Sequence, residues 1–418
     1  LNDSFVPIKL RKSARQDDLK KVNFNRNSGA FLSHNIDALD LNPRLEQIVD
    51  TTEIEVKSDF NIQDFEFINT ISKKVIPGKD IYINYGSDLS KLQDEELINL
   101  LRDKGIDFVI EGDDLIVRKG NYRINEDLTF PSSKRVKLLP GVRFLLASEK
   151  SILIQSDLTA MGTSEEPIEV IRLKEEESFG VFAVIGGQKK AEVILSNFNI
   201  SGGSESALNG VQFLGQLSIH NAIVDINQSS ISFSSSDDGM NIRNSKVSIL
   251  DSVFEANFAD QIDLDFCTGT VKENTFRFIT EDSMLMKDPN GDGLDVSGSK
   301  VSMQENTFEG FLDKALSIGE NSIILIKDNL FDNNHRAITV KDGSRAYVLT
   351  NSFLNNKFDF SLYIKKKFYN DPSIFIDLRL PESMIDNQLT NSINSVSLLS
   401  EAEIINRFNA EQSPIKLV

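Results

Sequence analysis

Two short segments hold aspartates in positions where they could act together. "DQIDLDF" (Asp260 to Phe266) carries Asp263 and Asp265 two residues apart, and "DGLDVSGS" (Asp292 to Ser299) carries Asp295 at the matching place. In both, apolar and polar residues alternate, so on a strand the aspartates take one face and the Ile, Leu and Val side chains the other. If the segments pair side by side, Asp263 and Asp295 stand about 5 Å apart. Two unit charges at that distance repel by about 3 kcal/mol at an effective dielectric of about 20. Each way of relieving that repulsion is a chemistry. A Ca²⁺ ion held by Asp263, Asp265 and Asp295 could neutralise a uronate for β-elimination. One carboxyl could instead keep its proton and serve as the acid opposite a carboxylate base or nucleophile in glycoside hydrolysis. Arg243, from "DGMNIR", could pair with the carboxylates, and Arg243 and Lys287 are the candidate bases for elimination. Asn241, Asp265, Ser297 and Ser317 fall on the same face and would contact substrate; a solvated acidic surface is the competing reading.

These segments belong to a repeat. Asp238, Asp260, Asp292, Lys314 and Arg336 head units separated by 22, 32, 22 and 22 residues, and Phe254, Phe276, Phe308, Phe331 and Phe353 close them in step. No unit holds a run long enough for a helix, which excludes a helical solenoid and leaves a coil of short strands stacked in parallel. Met240/Ile242, Ile262/Leu264/Phe266, Leu294/Val296, Leu316/Ile318 and Ile338/Val340 are then inward ladders. The repeated Phe forms another, and Asn274, Asn306, Asn329 and Asn351 an asparagine ladder at a turn. Three columns face outward: Gly239, Gln261, Gly293, Ala315, Ala337 as a shallow floor; Asn241, Asp263, Asp295, Ser317, Thr339; and Arg243, Asp265, Ser297, Gly319, Lys341. The head residues Asp238, Asp260 and Asp292 read as turn residues, as does the pair His335-Arg336. Cys267 reads as an unreactive thiol in an outward or turn position. The single long unit leaves the coil at "RFITEDSMLMKDPNGDG", beside the acidic column, where a loop carrying Lys287 and Asp288 could wall a groove.

The "PGVRF…SILIQSDLTAMGTSEEPIEVI" segment, the "NxF" turns and the 22-residue coils resemble the right-handed parallel β-helix proteins of the pectate-lyase-like class over about residues 120–365. The rungs "DGLDVSGS" and "ALSIGENS" are similar to those of bacterial surface or exopolysaccharide-associated β-helix proteins. The resemblance implies an all-β, single-stranded right-handed parallel β-helix with a small α/β N-terminal cap and a C-terminal cap. It also implies an extracellular, cell-surface or periplasmic setting and an extended, uronate-containing polysaccharide as partner, with lyase, hydrolase or epimerase activity left open. A non-catalytic surface or scaffold module is the alternative, since this fold hosts both.

Composition narrows the partners. The chain has 418 residues with 45 basic and 63 acidic ones, a net charge of -18 that disfavours nucleic acid. No apolar run approaches the length of a membrane span. Residues 1–70 lack sustained periodicity and read as an irregular arm open to contact with another chain. Residues 71–120 read as the N-terminal cap, with a helix in "SDLSKLQDEELINLLRDKG" burying Leu92, Leu97, Leu100 and Leu101, then a strand pair turned at Gly112-Asp113. The coil is expected over 121–365. Residues 366–418 form the C-terminal cap, where Ser400 and Glu403 stand in capping-box spacing. "DPNGDG" lacks the flanking helices of a Ca²⁺ hand, "VIGGQKK" lacks the context of a phosphate loop, and "SLYIKKK" reads as a solubilising edge.

Overall fold

A computed structural model describes residues 8–12, 39–41, 65–69, 94–278 apart from 188 and 210, 290–378 apart from 368, and 396–411. The chain divides into two units, residues 1–91 with 207–212, and residues 92–206 with 213–418. In the first, Ile8–Lys12 pairs antiparallel with Leu39–Leu41 on one side and Phe65–Asn69 on the other. The expected irregular arm therefore contributes a three-stranded sheet; Lys287, Asp288 and Leu92 lie outside the described residues.

The second unit is a right-handed parallel β-helix. Short strands recur in threes, and each pairs in parallel with its counterpart one coil on, building three long sheets. Sheet A has ten strands and includes Asp238–Arg243, Asp260–Asp265, Leu294–Ser297, Lys314–Gly319 and Arg336–Lys341. Sheet B has thirteen, among them Ala191–Ser196, Lys246–Leu250 and Arg345–Leu349, and sheet C ten, among them Phe198–Ser201 and Thr275–Arg277. Each strand is only three to six residues long in the repeats, so the core is built by stacking rather than by strand length. The expected aliphatic ladder is fully buried from Met240 and Ile242 through Ile338 and Val340. Phe266 is the exception: its φ of 54° puts it at a left-handed corner, and its side chain is only partly buried.

Two predicted ladders hold the corners. Phe254, Phe276, Phe308, Phe331 and Phe353 stack with centroids 4.6 to 5.3 Å apart and planes within 12° of parallel. Each such ring, fully buried, contributes about 1.5–3 kcal/mol relative to an exposed one. The Asn274 amide donates to Asn306 Oδ1 at 3.0 Å, Asn306 to Asn329 and Asn329 to Asn351 at 2.9 Å, and each also donates to a backbone carbonyl. A second asparagine ladder was not anticipated: Asn334 donates to Asn356 Oδ1 at 3.0 Å and to the Phe308 carbonyl. Its sequence signal is an Asn three residues after the repeated Phe, also present at Asn257.

The helix Asp94–Asp103 buries Leu97 and Leu101, and Gly105 follows it at a φ of 76°. The hairpin Phe108–Glu111/Asp114–Val117 forms as expected, and its second strand already pairs in parallel with Arg135–Leu138. At the other end sheet B continues past residue 365 through Ser373–Asp377 and Val396–Leu399. The helix Glu401–Ala410 then packs Ile404 and Phe408 against Tyr347 and Leu349, with Glu403 accepting the Ser400 backbone N–H at 2.9 Å.

Candidate functional site

Register decides the site, and the long unit does not disturb it. Asn241, Asp263, Asp295, Ser317 and Thr339 are successive partners across sheet A, and Arg243, Asp265, Ser297 and Gly319 form the next column. The first column is not as predicted. Asp238 pairs with Asp260 and Met240 with Ile262, yet the intervening Gln261 is buried and takes a hydrogen bond from Asn257. Ala315 and Ala337 belong to the core. A Cβ on Gly293 would meet the Phe311 ring. This column therefore turns inward rather than forming an outward floor. Because alternation breaks there, the head residues Asp260 and Asp292 bring their carboxylates to Asp295 instead. Asp260, Asp292 and Asp295 bring carboxylate oxygens within 4.8 Å of one another, so the predicted turn residues belong to the cluster.

Three ion pairs cross it. Arg243 Nε lies 3.1 Å from Asp265 Oδ2, Lys314 Nζ 2.8 Å from Asp292 Oδ1, and Lys341 Nζ 3.8 Å from Asp295 Oδ1. Lys341 also donates to Ser317 Oγ at 2.6 Å. Beyond them Arg336 donates to Asp313 at 2.6 Å, and Asp313 also pairs with Lys314. Asp238, Asp260 and Asp263 form no ion pair with a described residue. Burial, then neighbouring aspartates, pushes all three carboxyls well above the usual carboxylate range. Burial also lifts Asp292, to about 6, although Lys314 opposes it. Burial works against the Lys314 and Lys341 ammoniums, but their aspartate neighbours outweigh it and raise both.

Hydrogen bonds fix the rest. The Asn241 amide donates to Asp263 Oδ2 at 3.2 Å, and its Oδ1 lies 3.3 Å from His220 Nε2. Asp260 Oδ1 accepts the Asp292 backbone N–H at 2.7 Å, and Asp295 Oδ1 that of Val296 at 2.9 Å. Asn241, Ser317 and Thr339 are fully buried, whereas Asp260, Asp263, Asp295 and Ser297 remain partly open, Asp295 with 26% of its side chain exposed.

The predicted cation set is thus rearranged: Asp295 converges with Asp260 and Asp292, while Asp263 turns to Asn241 and Asp265 to Arg243. Residues missed by sequence reasoning are Asp260, Asp292, Lys314, Lys341 and His220; the first three were legible as the heads of the units. Cys267 sits inside, not outward. It occupies a rung of a serine ladder, its backbone N–H donating to Ser299 Oγ at 2.7 Å and Ser299 in turn to Ser322. Burial pushes its thiol up to about 12, in keeping with an unreactive role.

Residues 209–371 match the family described as right handed beta helix region. The chain is similar to the periplasmic alginate epimerase AlgG, at 10% identity over 68% of this chain and 76% of that one, with a TM-score of 0.28. It is also similar to PfbA, a surface adhesin of Streptococcus pneumoniae, at 10% identity over 68% of this chain and 93% of that one, with a TM-score of 0.24. Likenesses this faint carry no argument about activity, and no curated protein matches the chain. No helix among the described residues is long and apolar enough to cross a membrane.

Proposed function

We propose, from the premise that this chain is a right-handed parallel β-helix protein, that the outward face of sheet A binds an extended polysaccharide in the periplasm, at the cell surface or outside it and hydrolyses it. Asp260 or Asp263 acts as the proton donor and Asp295 as the carboxylate. The observation that carries this reading is the approach of Asp295 to Asp260, with oxygens within 4.8 Å, one group favoured in its protonated form and the other paired with Lys341. A carboxylic acid beside a carboxylate is what glycoside hydrolysis requires. Among the described residues elimination has less support: it needs an unprotonated base, whereas Lys314 and Lys341 hold their protons more firmly than free lysine and Arg243 is tied to Asp265.

Charge balance also bears on the substrate. Arg243, Lys314 and Lys341 each stand on an aspartate and burial favours the protonated form of Asp238, Asp260 and Asp263, so a uronate chain gains no counter-charge from these cations that a neutral glycan lacks. The oxygen donors of Asp260, Asp292 and Asp295 suit Ca²⁺ in kind. Lys314 already stands on Asp292 as the local cation, so the set does not fit an added ion.

The second reading, a non-catalytic surface or scaffold module, draws on the full burial of Asn241, Ser317 and Thr339, which shortens any groove along the middle column. The deciding experiment incubates the protein with neutral and uronate polysaccharides, with and without Ca²⁺, following reducing ends and the ultraviolet absorbance of unsaturated uronate. Reducing ends that disappear in Asp295→Asn are expected. Absorbance without hydrolysis would transfer the site to a lyase, and neither product nor binding would leave the scaffold reading.

A further inference from the structure

Away from the acidic face, a cleft of about 590 Å³ opens at the corner between sheets B and C, within the range of ligand sites. Its floor is the register pair Asn199 and Ser230, outward residues between the buried Phe198, Ile200 and Ile231. One rim is formed by Gln228 and Asp251, held at left-handed φ angles of 49° and 47°. The other is the loop at Thr163, which is rigidly held: its N–H donates to the Glu166 carbonyl at 3.0 Å, and its hydroxyl accepts the Glu166 N–H at 3.0 Å. The loop lies directly on the corner because residue 162 is glycine, where a Cβ would come 2.6 Å from the Asn197 carbonyl oxygen.

The side chains here differ from the other amides of the coil. The ladder asparagines spend their amides on carbonyls and on one another, whereas Asn199 and Ser230 make no side-chain hydrogen bond to another described residue. We infer that this cleft is a binding subsite for a short stretch of neutral glycan. An amide and a hydroxyl both donate and accept, which matches vicinal sugar hydroxyls. The lining offers no cation to attract a carboxylate, sulfate or phosphate, and Asp251 repels all three. With no aromatic platform in the lining, affinity rests on hydrogen bonds.

The inference does not depend on hydrolysis at Asp295. The test is saturation-transfer NMR on the full chain with cello-, xylo-, manno- and laminarihexaose, and hexagalacturonate as the charged control. Transfer to at least one neutral hexaose is expected, and the double Asn199→Ala/Ser230→Ala variant should lose the part that arises at this cleft, its affinity weakened about tenfold, while any transfer from sheet A persists; circular dichroism confirms that the variant folds. No transfer from any neutral hexaose overturns the inference. So does transfer that the double Asn199→Ala/Ser230→Ala variant leaves undiminished, or a lost part that is as large for hexagalacturonate.

Discussion

The Lys341 ammonium lies 3.8 Å from Asp295, two strands away across sheet A, and reaches it past Ser317, whose hydroxyl it bonds at 2.6 Å. Lys341 is almost wholly buried, so removing it strands Asp295 beside Asp260 and Asp292. Lys341→Met is expected to cost about 3 kcal/mol. Asp295→Asn placed on top should restore part of that loss. Urea denaturation of the two single variants and the double variant measures the coupling, and strict additivity would show that the pair does not interact.

Asp263 gives a pH dependence of definite sign. Its folded pKa is raised above the unfolded value of about 3.9, so the folded state binds the extra proton and stability falls as pH rises from that value through the folded pKa. Asp263→Asn mimics the protonated form and can still accept the Asn241 amide. The variant should melt higher than wild type at pH 7 by about 1 kcal/mol or more in stability, with the gap closing toward pH 4. A gap independent of pH would remove Asp263 as its source.

Within the asparagine ladder, Asn306 accepts from Asn274 through both backbone and side chain, and donates to Val271 and Asn329. Asn306→Ala leaves several buried groups unsatisfied at once and should cost about 3 kcal/mol, read as a lower urea midpoint. An exposed comparator outside the left-handed corners, Asn121→Ala, should stay within about 0.5 kcal/mol.

Cys267 should be silent to a thiol reagent in the native state and react fully in denaturant, since it is buried with its thiol raised to about 12. Cys267→Ser should cost less than about 1 kcal/mol, because Ser299, Ser322 and Ser344 already fill the equivalent ladder positions. Native labelling at the rate of a free thiol would contradict the placement.

Much of this was legible from period and alternation. The aliphatic, Phe and Asn ladders and the pairing of Asp263 with Asp295 follow from two facts, a repeat of fixed length and a strand that shows one side chain to each face. What the sequence hides shares one cause: alternation does not hold through the corners of the coil. At the head of the strand Gln261 is buried while Asp260 turns its carboxylate to Asp292 and Asp295. At Phe266 the left-handed residue changes phase and delivers Cys267 to the core. Such phase shifts carry only a weak sequence signal, because Asn, Asp, Glu and Phe all occupy left-handed corners in this coil. Gly269 is plainer, with a φ of 143° and a Cβ position 1.8 Å from the Val247 carbonyl oxygen, a place no other residue can fill without moving the backbone.

Arg277 pairs with Glu309 across sheet C, and Asp263 with Asp295 across sheet A, as though the residues numbered between them were absent from the count. Closing a longer excursion between fixed ends costs little, since each doubling of loop length adds only about 0.6 kcal/mol. The corner after Phe278 is therefore a port at which sequence can be lengthened, shortened or exchanged while the columns on either side keep their partners. In such a scaffold the chemistry written on the strands and the selectivity supplied by inserted segments are free to evolve separately.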